Sequence, residues 1–232
     1  MNVHSSGTRW VILPYSEPRH VIGLPLGKSE STLYNCGLRP EKRFPLETCP
    51  VTRIFTVLAI LAALITLITF ALGMSIGDAT LKSAQTVVSY HLLAGLGALV
   101  FTSLVHAIVL TYFMGTGRWL EETTTAYRLN WDFYKESKSL KYRTIMLMLV
   151  CFLLLIATGA FGAAADPASA VGFRGAWGFS GGTIHMTIAL LTWAFNLLVN
   201  VYQFQVLTRN GEIVESVLAE VRRIRIENGL TV

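Results

Sequence analysis

The chain has 232 residues, 53% of them hydrophobic and only 14% charged, with a mean hydropathy of +0.52. A composition this apolar excludes an ordinary soluble domain and calls for several segments that lie in a membrane. The formal charge of +5 does not point to nucleic acid, because the basic residues are spread over three segments and no recognition motif accompanies them.

Residues 1–53 mix Gly, Pro, Ser and charge, as in Ser5-Ser6-Gly7-Thr8 and Arg39-Pro40-Glu41-Lys42-Arg43. No sustained apolar run occurs there, so an irregular extramembrane arm is expected rather than a signal peptide, which needs an apolar core and a small-residue cleavage site. Three cysteines, Cys36, Cys49 and Cys151, are an odd number without CxxC or Cys/His spacing. Free thiols are expected, with Cys151 packing as a small hydrophobe.

Four apolar segments follow, at about 54–76, 86–114, 144–165 and 181–207. Each reaches the roughly 20 residues that a helix needs to cross the hydrocarbon core. Period-two alternation is absent, and a lipid-exposed backbone must satisfy its own hydrogen bonds, so helices are predicted rather than barrel strands. The expected fold is an all-α integral membrane protein, a four-transmembrane-helix bundle over residues 54–207. Lys and Arg number seven in residues 1–53, six in 115–143 and four after 207, against one each in 77–85 and 166–180. Seventeen against two places both termini and the long loop in the cytoplasm, and the expected location is a bacterial cytoplasmic membrane.

The 115–143 connection carries Trp119, Tyr127, Trp131, Phe133, Tyr134 and Tyr142 among Lys138, Lys141 and Arg143. Such a mixture suits the headgroup level, and an interfacial segment is expected. Gly115-x-Gly117 lacks a preceding strand and a third glycine, so it is no nucleotide fingerprint. Residues 208–232 place Ile213, Val214, Val217, Leu218, Val221 and Ile224 on one helical face, with acids early and arginines late. An amphipathic helix is predicted, whose apolar face covers the membrane surface, the protein's own loop or another subunit.

Chemistry is best sought among the intramembrane histidines, because ionisable groups at membrane depth are costly enough to be functional candidates. The second and fourth spans run the same way, so equal offsets mean similar depths. His91 and His106 are 15 residues apart, as are His185 and Asn200. That spacing is roughly 22 Å of rise and about 60° from a whole number of turns. His91 is therefore expected to meet His185 near the outer face, and His106 to meet Asn200 near the inner one. Two neutral imidazoles from facing helices suit the axial positions of a haem b iron, which makes His91 and His185 the candidate ligands. His106 and Asn200 are the weaker pair, since an amide is a poor axial ligand.

Gly73, Gly77, Gly95, Gly97, Gly159 and Gly162 crowd the outer half, and leave room for a macrocycle or for close helix packing. Hydrogen bonds from the histidines to Ser89, Thr102, Thr183 or Thr187 need no cofactor, and Met74 with Met186 would turn the outer pair into a copper site.

The layout, with histidines on alternate spans near one face, resembles the small b-type cytochrome subunits that anchor respiratory dehydrogenases or pass electrons to quinone. The likeness is one of architecture over residues 54–207 and places the chain in no family. It implies a membrane subunit of a larger electron-transfer complex, with other membrane subunits, lipid and quinone as partners. The alternative is a cofactor-free structural subunit that scaffolds a complex. No GxSxG, HExxH or P-loop motif is present, and Asp78 and Asp166 lie at the outer ends of the spans rather than inside them, which leaves a hydrolase or a proton-relay transporter without its machinery.

Overall fold

The computed structural model describes residues 50–230, so residues 1–49 of the arm expected over 1–53, with Cys36 and Cys49, lie outside the described residues, and the arm's last four residues belong to the first helix. The elements are α1 (Pro50–Met74), a 3-10 turn (Lys82–Ala84), α2 (Gln85–Tyr127), α3 (Asp132–Ala165), a hairpin of β1 (Gly175–Ala176) and β2 (Phe179–Ser180), and α4 (Gly181–Glu227). The hairpin strands pair antiparallel, Gly175 with Ser180 and Ala176 with Phe179. Ser180 then caps α4, its hydroxyl accepting from the Thr183 N–H at 3.2 Å, which satisfies one of the amide donors a helix start leaves open.

All four long helices are long and apolar enough to cross a membrane. In their most apolar windows only 11, 28, 17 and 22% of residues are buried within the protein. The apolar side chains therefore point outward, the arrangement that hydrocarbon solvates and water does not. Helix α1 packs on α2 and α4, α3 packs on the same two, and α2 meets α4 across the middle. Short connections make the chain run up, down, up and down, leaving α2 and α4 parallel.

The interior shows an internal repeat. Buried positions of α2 at Ala98, Thr102, Val105, His106, Val109, Phe113 and Gly117 recur 94 residues later at Thr192, Asn196, Val199, Asn200, Gln203, Leu207 and Gly211, all buried. On the other two helices Phe55, Ala59 and Ala62 recur 89 residues later at Thr144, Met148 and Cys151. Two helical hairpins thus face each other about an approximate two-fold axis parallel to the helices.

Beyond the apolar spans the helices continue instead of ending. Sequence reading expected an interfacial loop over 115–143, but α2 runs on to Tyr127, and α3 begins only five residues later. Arg128 takes the left-handed conformation (φ 53°) and donates its N–H to the Thr124 and Thr125 carbonyls, which stops α2. The physical reason is tertiary. Leu120, Leu129, Ile213 and Val217 are buried together, with Trp119, Tyr127, Phe133, Tyr134 and Val214 against them. Trp119, Tyr127, Phe133 and Tyr134 thus find apolar partners in this cluster, while Trp131 and Tyr142 stay exposed. Of the amphipathic end of the chain, Ile213 and Val217 are covered by the protein's own 115–143 segment, while Leu218 and Ile226 stay exposed.

Polar contacts fasten this three-helix stem to the spans. Asn210, fully buried, accepts from Ser137 Oγ at 2.6 Å and donates to Tyr112 Oη at 3.2 Å and Thr116 Oγ1 at 3.1 Å. On the surface the Arg209 guanidinium donates to Glu136 at 2.7 Å and Glu212 at 2.8 Å, a half-exposed network whose links contribute well under about 1 kcal/mol each. Leu120→Ala is expected to destabilise the stem by about 2–5 kcal/mol. Hydrogen exchange in detergent checks it: protection should fall across 115–143 and 208–227 and hold in the spans.

Candidate functional site

The parallel pair α2 and α4 carries two polar layers, and they differ in kind. Toward the hairpin end, the rings of His91 and His185 lie with centroids 6.0 Å apart and planes at 78°. His91 Nδ1–H donates to the Thr69 carbonyl of α1 at 2.9 Å. That bond selects the neutral tautomer whose Nε2 keeps its lone pair, the form in which an imidazole ligates a metal. His185 stands in the mirrored place with the Thr158 backbone beside it, and Thr158 is the repeat mate of Thr69. Its Nδ1 is nevertheless buried without a hydrogen bond.

Glycines make room for both rings. A Cβ at Gly73 would come within 2.9 Å of His91 Cε1, and one at Gly162 within 2.8 Å of His185 Cε1. Gly73 and Gly162 are also repeat mates, each one helical turn beyond its threonine. Each hairpin therefore supplies the same unit: a Thr-x-x-x-Gly face on one helix and a histidine from the next seated over the glycine. The room that the small residues were expected to leave for a macrocycle or for close helix packing is, at these two positions, filled by the imidazoles themselves.

A nitrogen ligand sits roughly 2 Å from a first-row metal, so two rings on one ion have centroids on the order of 6 Å apart. The outer pair meets that separation, and rings coaxial with a metal can be twisted to any interplanar angle. Met74 and Met186, weighed as thioether ligands, lie 60% and 39% exposed on the helix surfaces. Among the described residues no group of three or more His, Cys, Asp or Glu gathers to hold an ion. Two grooves, of about 400 Å³ beside Arg53 and Phe204 and about 220 Å³ beside Phe161 and Phe173, lie away from the histidines.

The deeper layer is closed. His106 is wholly buried, and its Nε2–H donates to Asn196 Oδ1 at 2.9 Å while Gln203 Nε2–H donates to its Nδ1 at 3.0 Å. Cys151 Sγ also donates to Asn196 Oδ1, at 3.7 Å, and Phe152 packs edge-on at 5.9 Å. The expected meeting of His106 with Asn200 is corrected here. Asn200 lies at the same level, but the imidazole bonds the residues one turn before and after it, and Asn200 Oδ1 has no partner. Both ring nitrogens are engaged, which leaves no lone pair for iron. Asn196 and Gln203 escaped sequence reading, although their spacing with Asn200 on an otherwise apolar helix was a visible signal.

No protein family, curated protein or solved structure matches this chain. The chemistry therefore rests on the geometry alone. Gly73→Ala and Gly162→Ala are each expected to displace the facing imidazole and lower stability by about 1–3 kcal/mol through overpacking. Gly97→Ala, where an added Cβ meets nothing within 4 Å, should leave both unchanged. Histidine ring nitrogen NMR in detergent micelles reads the displacement directly.

Proposed function

We propose that the protein is a membrane subunit of an electron-transfer complex that holds one haem b between His91 and His185. The observation that carries this reading is the symmetric pair of glycine-seated imidazoles 6.0 Å apart. The residues fit such a group: the tautomer fixed by Thr69 leaves Nε2 of His91 with its lone pair, and the ring of His185 lies 6.0 Å away, centroid to centroid, in the same layer. When bound, a haem there supplies reversible one-electron exchange. The chain's own residues hold the rings, set their tautomers and keep charged groups away from the layer.

Orientation belongs to the same proposal. The basic residues of the stem and arm would face the cytoplasm, and the histidine pair would lie near the opposite surface. Quinone and neighbouring membrane subunits are the partners this arrangement suits. A scaffold without cofactor is the second reading, favoured by one observation: the imidazoles already fill the space over Gly73 and Gly162.

An optical spectrum of the purified, reduced protein separates the two. A Soret band is expected, lost in His91→Ala and in His185→Ala and retained in His106→Ala. Absence of the band, or its survival in either outer variant, would leave the scaffold. For topology, an Ala170→Cys variant should react with an impermeant thiol reagent in intact cells. Reaction only after permeabilisation would reverse the orientation.

A further inference from the structure

The repeat about the α2–α4 axis is broken at one level, and the break leaves buried polar atoms without partners. By the offset of 94, the bond between His106 and Asn196 has a mate between Asn200 and Thr102. That mate is not made: Thr102 Oγ1 and Asn200 Oδ1 are both buried and unpartnered, and so is Asn196 Nδ2 beside them. Thr102 is 1%, Asn196 2% and Asn200 8% exposed. Turning the amide of Asn196 or Asn200 over does not cure this, since it exchanges one unpaired end for the other.

The reason for the break is size. Around His106 stand Asn196, Gln203, Cys151 and Phe152. The repeat mates around Asn200 are Thr102, Val109, Ala62 and Ala63, each smaller, and Asn200 itself is shorter than an imidazole. Trp193 Nε1–H donates to the Ala63 carbonyl at 3.4 Å. No hydrogen bond joins the side chains at 102 and 200. An unpaired buried amide or hydroxyl costs on the order of 1–3 kcal/mol in a protein interior, and three in one layer would be an unusual burden for a bundle of this size.

We infer that Thr102, Asn196 and Asn200 form a binding site for one ordered water molecule, seated between α2 and α4 where the first hairpin lacks the bulk of the second. The three atoms match the valence of water. Asn196 Nδ2–H and the Thr102 hydroxyl donate to its oxygen, and it donates one proton to Asn200 Oδ1. Three hydrogen bonds are typical for a buried water, which is costly to remove. The site is independent of any haem at the outer pair, because its atoms lie 11 to 15 residues deeper along both helices.

A structure of the full chain in detergent or nanodisc, at a resolution that shows solvent, tests the site together with two variants. A solvent peak within hydrogen-bond distance of all three atoms is expected. Thr102→Val keeps the shape and removes one bond to the water, so the unfolding midpoint should fall by roughly 2–4 °C. Asn200→His should reach Thr102 directly, expel the solvent peak and hold or raise the midpoint. An empty map at this position, a direct bond between Thr102 and Asn200, or a Thr102→Val variant that melts higher would overturn the inference. The last outcome is what removing a solitary, unsatisfied hydroxyl gives.

Discussion

Among apolar helices, sliding one past another by a turn changes little in packing energy, since one aliphatic side chain replaces a similar one. A buried imidazole removes that freedom. His106 bonds Asn196 and Gln203, one turn to either side of Asn200 on α4, so a shift of a single turn would break these bonds and strand the partners in an apolar interior. The register of α2 against α4 is fixed there. Everything nearer the hairpin end inherits it, including the level at which His91 meets His185.

The same constraint explains why the two layers differ. Where partners of complementary length face each other, the polar groups satisfy one another and the layer is structural. Where both faces offer the same group, two imidazoles, neither can satisfy the other fully in its neutral form. His91 turns Nδ1 to the Thr69 carbonyl of its own hairpin, and the two rings lie edge to face at 6.0 Å. A repeated hairpin generates such like-to-like pairs on its axis as a matter of symmetry, whereas the inner layer sets unlike groups against each other.

Much of this was legible in the sequence. Four long apolar helices and the common level of His91 and His185 followed from run length and from the equal spacing of polar residues on two parallel helices. The stem was not, because Trp119, Tyr127, Phe133 and Tyr134 carry the composition of a headgroup belt. Composition reports solvent preference but not which surface supplies it, and only the packing against Ile213 and Val217 decides between lipid and protein. His106 was misassigned to Asn200 for a related reason. Depth matching is accurate to about a turn, whereas a hydrogen bond is decided within a few tenths of an ångström. Asn196 and Gln203, one turn to either side, were within that error.

Helix α4 runs unbroken from Gly181 to Glu227, a rod of roughly 70 Å at 1.5 Å per residue. Its two ends are mechanically one object. The stem half is gripped by Asn210 and by the buried Ile213 and Val217, and the far half carries His185 over Gly162. An α-helix resists twisting far more than a loop does, so a partner that rolled the stem by a few degrees would carry the imidazole sideways across its glycine seat. Had a loop interrupted the chain near residue 208, that torque would have dissipated at the break. Continuity makes the stem a handle on the spacing between two rings that lie on the far side of the apolar layer.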